Sequence, residues 1–179
     1  MRIETDRLII RTINPQDHDD LQEIILDPEV VKYTRYREIT TPEDFTKTFE
    51  DHFLTETIDT FGIEAKDTHK LIGFYEFHPE NNVGILTYAL GQSAWGHGYV
   101  AEVGQAMMNY GFESRNFDKI EAHYANLNPR SGRVMSKMGM HDLGELESFT
   151  FPTGEEVHVM AYELTKHDWL IANNQDQAV

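Results

Sequence analysis

Hydrophobic positions along the 179-residue chain alternate in some stretches and recur every three or four residues in others. Arg7–Ile13 is β-branched and partly alternating, which predicts a first strand. Asn14-Pro15 opens a helix, since Asn caps and Pro tolerates the first helical position. Leu21, Ile24 and Ile25 form its apolar face, and Asp27-Pro28 ends it. Thr41-Pro42 opens another helix, with Phe45 and Phe49 on one face. Val30–Thr40, between them, carries Tyr33, Tyr36 and two arginines and reads as a short helix and loop near a ligand, although aromatics there are more often core than contact. Three strands follow, Thr60–Ala65, Leu71–Phe77 and Val83–Leu90. Their short polar turns, Lys66–Lys70 and Pro79–Asn82, make them antiparallel neighbours. Tyr99–Arg115 places Val103, Ala106, Met107 and Tyr110 at helical spacing. Asp118–Ala125 alternates through Ile120, Ala122 and Tyr124. Having crossed over through a helix, it should run parallel to Val83–Leu90. Asn128 is expected to cap the last long helix, with Pro129 at its first position, Val134, Met135 and Met138 inward and Gly139 as a left-handed stop. Met140–Phe151 and Glu156–Leu164 flank a turn at Pro152-Thr153-Gly154.

The order β-α-α-β-β-β-α-β-α-β-β predicts an α/β (α+β) fold. Its centre is a mixed, mostly antiparallel sheet of about seven strands, with helices on both faces. Residues 1–170 read as a single domain and 171–179 as a frayed polar tail.

The most informative stretch is Trp95-Gly96-His97-Gly98-Tyr99-Val100-Ala101-Glu102, between a strand and a helix. Two glycines let backbone approach a ligand closely. The first N–H groups of a helix have no partners within it and sit at the positive end of its dipole. Together these make an anion site, and the usual anion is a phosphate. A Gly-X-Gly alone is as often only a turn. His97, between the glycines, would lie beside that anion.

The chain has no cysteine, which excludes disulfides and thiolate metal sites. No histidine pair shows a metal-ligand spacing, so no metal is expected. Met1–Asp6 lacks the apolar segment of a secretory signal, and no apolar run nears the ~20 residues of a membrane span. A soluble, cytoplasmic protein is therefore expected. Asp and Glu number 31 against 15 Lys and Arg, a net charge of −16. That charge repels nucleic acid and suits a cationic partner such as an amine, though it also serves solubility alone.

Together with the element order, the Trp95–Glu102 stretch and Asn128-Pro129-Arg130-Ser131-Gly132-Arg133-Val134-Met135-Ser136-Lys137-Met138-Gly139-Met140 resemble the GNAT N-acetyltransferases. Glu4-Thr5-Asp6-Arg7-Leu8, Asp27-Pro28-Glu29-Val30 and Leu71-Ile72-Gly73 are similar to the branch that acetylates ribosomal-protein N-termini. The resemblance covers nearly the whole chain. It implies acetyl-CoA as cosubstrate and a primary amine as acceptor, most simply a protein N-terminus. It implies that Trp95, Gly96, His97, Gly98 and Tyr99 hold the pyrophosphate. The backbone of Tyr88, Ala89 and Leu90 would bond the pantetheine arm, on a strand splayed from its neighbour. Asn128 would lie beside the cofactor. It implies a monomer or homodimer. Three positions depart from the family pattern. Ser93 stands where Arg or Gln is common, Ile85 where a glutamate often helps deprotonate the amine, and Met135 where a tyrosine often serves as acid.

Ser131 is the candidate to protonate the leaving thiolate; its other reading is a helix-start residue. Glu76 is the candidate base or amine binder, because Ile72, Phe74 and Glu76 share one face of a strand and a carboxylate there is unusual. His78, Glu147 and His158 are weaker candidates. Two alternatives stay open: a polyamine or other small-amine acetyltransferase, and a CoA-binding module with little catalysis. A dinucleotide site fits less well, although Gly96–Ala101 matches its fingerprint and Glu121 its spacing. Five residues separate Leu90 from Gly96, Glu121 sits at the wrong end of its strand, and repeated βαβ units are missing.

Overall fold

A computed structural model describes residues 1–176, with side chains up to 173. Eight strands, β1 (Arg2–Glu4), β2 (Leu8–Arg11), β3 (Thr60–Ala65), β4 (Leu71–Glu80), β5 (Val83–Leu90), β6 (Lys119–Ala125), β7 (His141–Thr150) and β8 (Glu156–Thr165), hydrogen-bond in the order β1-β2-β3-β4-β5-β6-β8-β7. The helices are α1 (His18–Ile25), α2 (Pro28–Val31), α3 (Pro42–Thr48), α4 (Tyr99–Asn109), α5 (Pro129–Lys137) and α6 (Lys166–Asp176). The fold is the expected mixed, mostly antiparallel one, and the parallel pair is β5 with β6. One strand more than expected comes from β1, too short and polar to show a pattern, which pairs with β2 through Ile3↔Ile10.

Contacts gather the chain into two compact units: Met1–His78 with Thr87–Ala106, and Pro79–Leu86 with Met107 onward. In the first unit, Leu21, Ile25, Phe45, Phe53 and Phe74 are buried in one cluster. Its helix starts are those expected. Asn14 accepts from the Gln16 N–H and exchanges a reciprocal bond with Asp17, and Thr41 accepts from the Asp44 N–H. Asp27 ends one helix by capping the next, accepting from the Glu29 N–H. Arg11 ties strands to helix, bonding Asp17 at 2.7 and 2.8 Å and Glu64 at 2.6 Å. After α3 the helix widens into a π turn over Phe49–Phe53, where the Leu54 N–H bonds the Phe49 carbonyl five residues back.

In the second unit, β4 ends at Glu80 and β5 begins at Val83. The turn is therefore only Asn81-Asn82, both at positive φ (48° and 64°), the two-residue turn that matches strand twist. β6 pairs with β8 from Lys119↔Thr165 to Ala125↔Val159. After α4 the helix again widens into a π turn, Tyr110–Ser114. α5 ends as expected: Gly139 has φ +82° and the Met140 N–H returns to the Met135 carbonyl. Helix α6 continues the backbone to Asp176, across much of the segment expected to fray. Residues 177–179 of that tail lie outside the described residues.

Candidate active site

The Gly96–Gly98 loop has the backbone that its glycines suggested. Gly96 and Gly98 lie at φ +81° and +77°, a region that side chains resist. A Cβ built on Gly96 would have nothing within 4 Å, so its face is open. The loop leads directly into α4, which begins at Tyr99. His97 is exposed and its ring stacks on Tyr99, centroids 5.3 Å apart.

This loop is braced by the start of the chain. Glu102, in the first turn of α4, accepts from the Thr5 hydroxyl (2.5 Å), the Arg7 N–H (2.9 Å) and Arg7 Nε (2.8 Å). Arg7 Nη1 donates to the His97 carbonyl at 3.0 Å, and the guanidinium lies 4.6 Å over the Tyr99 ring. Burial pushes the Glu102 carboxyl up, but its bonds from Thr5 and Arg7 outweigh that and hold it below the ordinary value. Arg7 thus offsets the negative charge of Glu102 at the helix start. Two stretches singled out by sequence, Glu4–Leu8 and Trp95–Glu102, are one contact.

The approach to the loop is equally fixed. The Trp95 indole N–H donates to the Leu90 carbonyl at 2.8 Å, and the Gly91 N–H to the Ile72 carbonyl at 2.9 Å. A Cβ on Gly73 would lie 2.4 Å from the Ala89 carbonyl oxygen, so only glycine lets β4 pass so close to β5. The β5–β6 register runs from Val83↔Lys119 to Leu86↔Ala122. Tyr88, Ala89 and Leu90 lie beyond its end. Tyr88 stacks on Tyr75 at 6.0 Å.

Glu76 is fully buried. Tyr36 donates to both its oxygens (2.7 and 2.8 Å), His52 Nε2 lies 2.7 Å from Oε1, and Thr60 donates to Oε1 at 3.3 Å. His78 Nε2 stands 3.5 Å from Oε2, an ion-pair contact rather than a formed hydrogen bond. Burial pushes this carboxyl up. The hydrogen bond from His52, the nearby His78 ring, the hydrogen bonds from Tyr36 and the charge of His52 prevail and hold it at about 2. Burial, then the Glu76 charge, pushes the Tyr36 hydroxyl far above its ordinary range. A carboxylate this acidic and this fully engaged is a weak base and offers no oxygen to an amine from solvent.

Ser131 and Asn128 belong to the second unit. Asn128 stands at the N-cap of α5, but its side chain makes no cap bond; its carbonyl accepts from the Ser131 N–H at 3.1 Å. Ser131 is half-buried and Met135 buried. His158 faces Glu145 at 3.1 Å, and Glu147 is exposed on β7 opposite Val159. The residues that sequence reading missed are Arg7, Glu102, Tyr36 and His52. The first two lie inside stretches already singled out. His52 has one signal, its place in a π turn, a distortion frequent at functional sites.

The family model described as Acetyltransferase (GNAT) domain matches residues 7–141. The chain belongs to the GNAT acetyltransferase family. It is 29% identical over 171 residues to the uncharacterized N-acetyltransferase p20 of Bacillus licheniformis, covering 92% of this chain and 96% of the relative. Among solved structures, spermidine N-acetyltransferase from Vibrio cholerae in complex with CoA and spermine superposes with TM-score 0.79 at 18% identity, covering 93% of this chain and 99% of that one. Ribosomal-protein-S5-alanine acetyltransferase from Vibrio fischeri superposes with TM-score 0.69 at 19% identity, covering 94% and 98%. This GNAT protein is accordingly an N-acetyltransferase, and its family draws the acetyl group from acetyl-CoA. Among its described residues no helix is long and apolar enough to cross a membrane.

Proposed function

We propose that this GNAT enzyme acetylates the N-terminal α-amine of a basic peptide or protein, such as the start of a ribosomal protein. The Gly96–Gly98 loop and first turn of α4 take the pyrophosphate of acetyl-CoA, with Trp95, His97 and Tyr99 around it. The backbone of Tyr88, Ala89 and Leu90 takes the pantetheine arm, Asn128 lies beside the cofactor, and Ser131 serves the leaving thiolate. The observation that supports the cofactor reading is the left-handed backbone of Gly96 and Gly98 at a helix start, open where a Cβ would stand. N–H groups presented there bind an anion without a side chain.

The acceptor reading rests on Glu76. With Ile85 in β5, Glu76 is the candidate carboxylate, yet it is buried and engaged by four protein groups. A polyamine carries amines that resemble lysine, with a pKa of about 10.4. Freeing one at pH 7 costs about 4–5 kcal/mol, against about 1 kcal/mol for an α-amine with a pKa near 8. A site without a solvent-facing carboxylate base suits the less costly amine. The net charge of −16 draws in a basic acceptor of either kind.

The deciding measurement is kcat/KM for three acceptors: a basic peptide, its N-terminally blocked form with a free lysine, and spermidine. The free N-terminus should win. Spermidine favoured tenfold or more overturns the reading in favour of a polyamine acetyltransferase. Acetyl-CoA binding without thiol release on any amine identifies a binding module.

A further inference from the structure

Two imidazoles flank the buried Glu76 carboxylate, and they differ in what they leave free. His52 Nε2 lies 2.7 Å from Glu76 Oε1. A carboxylate only accepts, so Nε2 carries the proton and Nδ1 of the neutral ring keeps a lone pair. Nδ1 has no hydrogen-bond partner among the described residues and is not sealed from solvent; the side chain is 24% exposed. His78 has its acceptor side engaged, while its Nε2 is buried 3.5 Å from Glu76 Oε2. Arg35 Nη1 stands 3.2 Å from its Nδ1, and a guanidinium only donates, so that lone pair is occupied. Of the two rings, His52 alone presents an unengaged acceptor nitrogen.

We propose that His52 Nδ1 takes the proton from the acceptor amine, with Glu76 as the positioning residue that holds the ring's tautomer and steadies the imidazolium. The proposal rests on the acetyltransferase activity and deepens the acceptor reading above. As the amine nitrogen bonds the thioester carbonyl carbon and the C–S bond breaks, the amine proton passes to Nδ1. Nε2–H stays on Glu76, and the imidazolium later returns the proton to the thiolate or solvent. Imidazole is the side chain suited to such exchange near neutral pH.

The surroundings fit this role. Tyr36 and Thr60 donate to the carboxylate and keep it from turning. The His52 ring packs on Phe53, centroids 5.1 Å apart, and lies 6.5 Å from Tyr36. The charged or titratable groups around it are Glu76, the Tyr36 hydroxyl, His78 with Arg35 behind it, and Glu50 and Asp51 in its own segment. Glu76 stands three residues beyond Gly73, which abuts the Ala89 carbonyl. Glu76 therefore lies on the strand beside the backbone proposed for the pantetheine arm, and His52 reaches it from the π turn over Phe49–Phe53.

The test records kcat/KM against pH, for whichever acceptor is turned over best, in the wild type and in His52→Gln, Glu76→Gln and His78→Gln. NMR follows the His52 ring through the same pH range in the wild type and Glu76→Gln, without substrates. In the wild type, kcat/KM should rise over the interval in which the His52 ring loses its proton. His52→Gln should lose that limb and roughly 10²-fold in rate, the scale of general-base catalysis. Glu76→Gln should move both the ring titration and the limb to lower pH, because the imidazolium loses its anion. His78→Gln should keep the limb. Full activity in a folded His52→Gln enzyme overturns the proposal, as does a wild-type limb that does not coincide with the His52 titration. The second comparison needs no variant, so it decides even if His52→Gln does not fold. A preference for spermidine overturns only the α-amine reading; the same profiles are then run on spermidine.

Discussion

The hydroxyl of Tyr36 reaches both carboxylate oxygens of Glu76, at 2.7 and 2.8 Å. A short helical turn over Arg35–Glu38 and strand β4 are joined by this bond in the core of the first unit. A buried charge is tolerable only when donors surround it. Tyr36→Phe removes one donor while keeping the ring. It should lower stability by about 1.5–3 kcal/mol, the scale of a hydrogen bond to a charged group, read from urea melts near pH 7.

The same carboxyl predicts an acid-sensitive stability. Folding lowers Glu76 from an ordinary 4.5 to about 2. A lowered carboxyl stabilises the fold fully above its unfolded pKa and ceases to as pH falls through the folded one. Stability should therefore decline between about pH 4.5 and pH 2, with Glu76 contributing on the order of 3 kcal/mol. Urea melts across that interval should show a shallower decline in Glu76→Gln than in the wild type, although the variant is less stable at pH 7.

Glu102 ties the start of α4, and with it the loop proposed for the cofactor, to Thr5 and Arg7. Glu102→Ala leaves Arg7 without its partner beside the His97 carbonyl and frees the loop from the start of the chain. The expected result is a KM for acetyl-CoA raised roughly tenfold, the equivalent of about 1.4 kcal/mol, with kcat changed little. Initial rates at saturating acceptor measure both.

Gly73 and Gly96 should respond oppositely to a methyl group. At Gly73 it meets the Ala89 carbonyl oxygen at 2.4 Å, backbone that cannot step aside. Gly73→Ala should cost about 1–3 kcal/mol, as overpacking does, and lower activity as β4 and β5 part. At Gly96 there is no clash, only a positive φ of 81°. Gly96→Ala should alter melting by about 1 kcal/mol and show its effect mainly in acetyl-CoA binding. Thermal melts and CoA titrations separate the two.

Two asparagines at helix starts should also differ. Asn14 bonds the Gln16 N–H, so Asn14→Ala should cost about 0.5–2 kcal/mol. The Asn128 side chain makes no cap bond, so Asn128→Ala should cost less and act, if at all, on cofactor binding. Ser131→Ala should lower kcat with melting unchanged if Ser131 serves the thiolate. Unchanged turnover removes it from the chemistry.

Local patterning was enough for most elements, because each depends on residues a few positions apart. Val83–Leu90 reads as a strand beyond a polar turn and is β5 to the residue. Thr41-Pro42 caps and starts α3 because both acts are local. The left-handed Gly139 was legible for the same reason, while Gly96 and Gly98 were marked for close backbone approach and their positive φ came from the structure. β1 escaped because three residues carry no period and only pairing with β2 makes them a strand. The environment of Glu76 escaped altogether. Its apolar face on β4 was readable, but Tyr36, His52 and Thr60 lie 40, 24 and 16 residues away in sequence. Whether a carboxylate on such a face is a base, a ligand or a saturated anchor depends on which donors converge on it. Periodicity records which side of its own element a residue takes and nothing of what arrives from other elements. The sequence therefore determined most of the elements, the family resemblance and the place of the glycine loop before α4. Only tertiary structure decided that Arg7 braces that loop from 95 residues away and that Glu76 is closed to solvent while His52 is not.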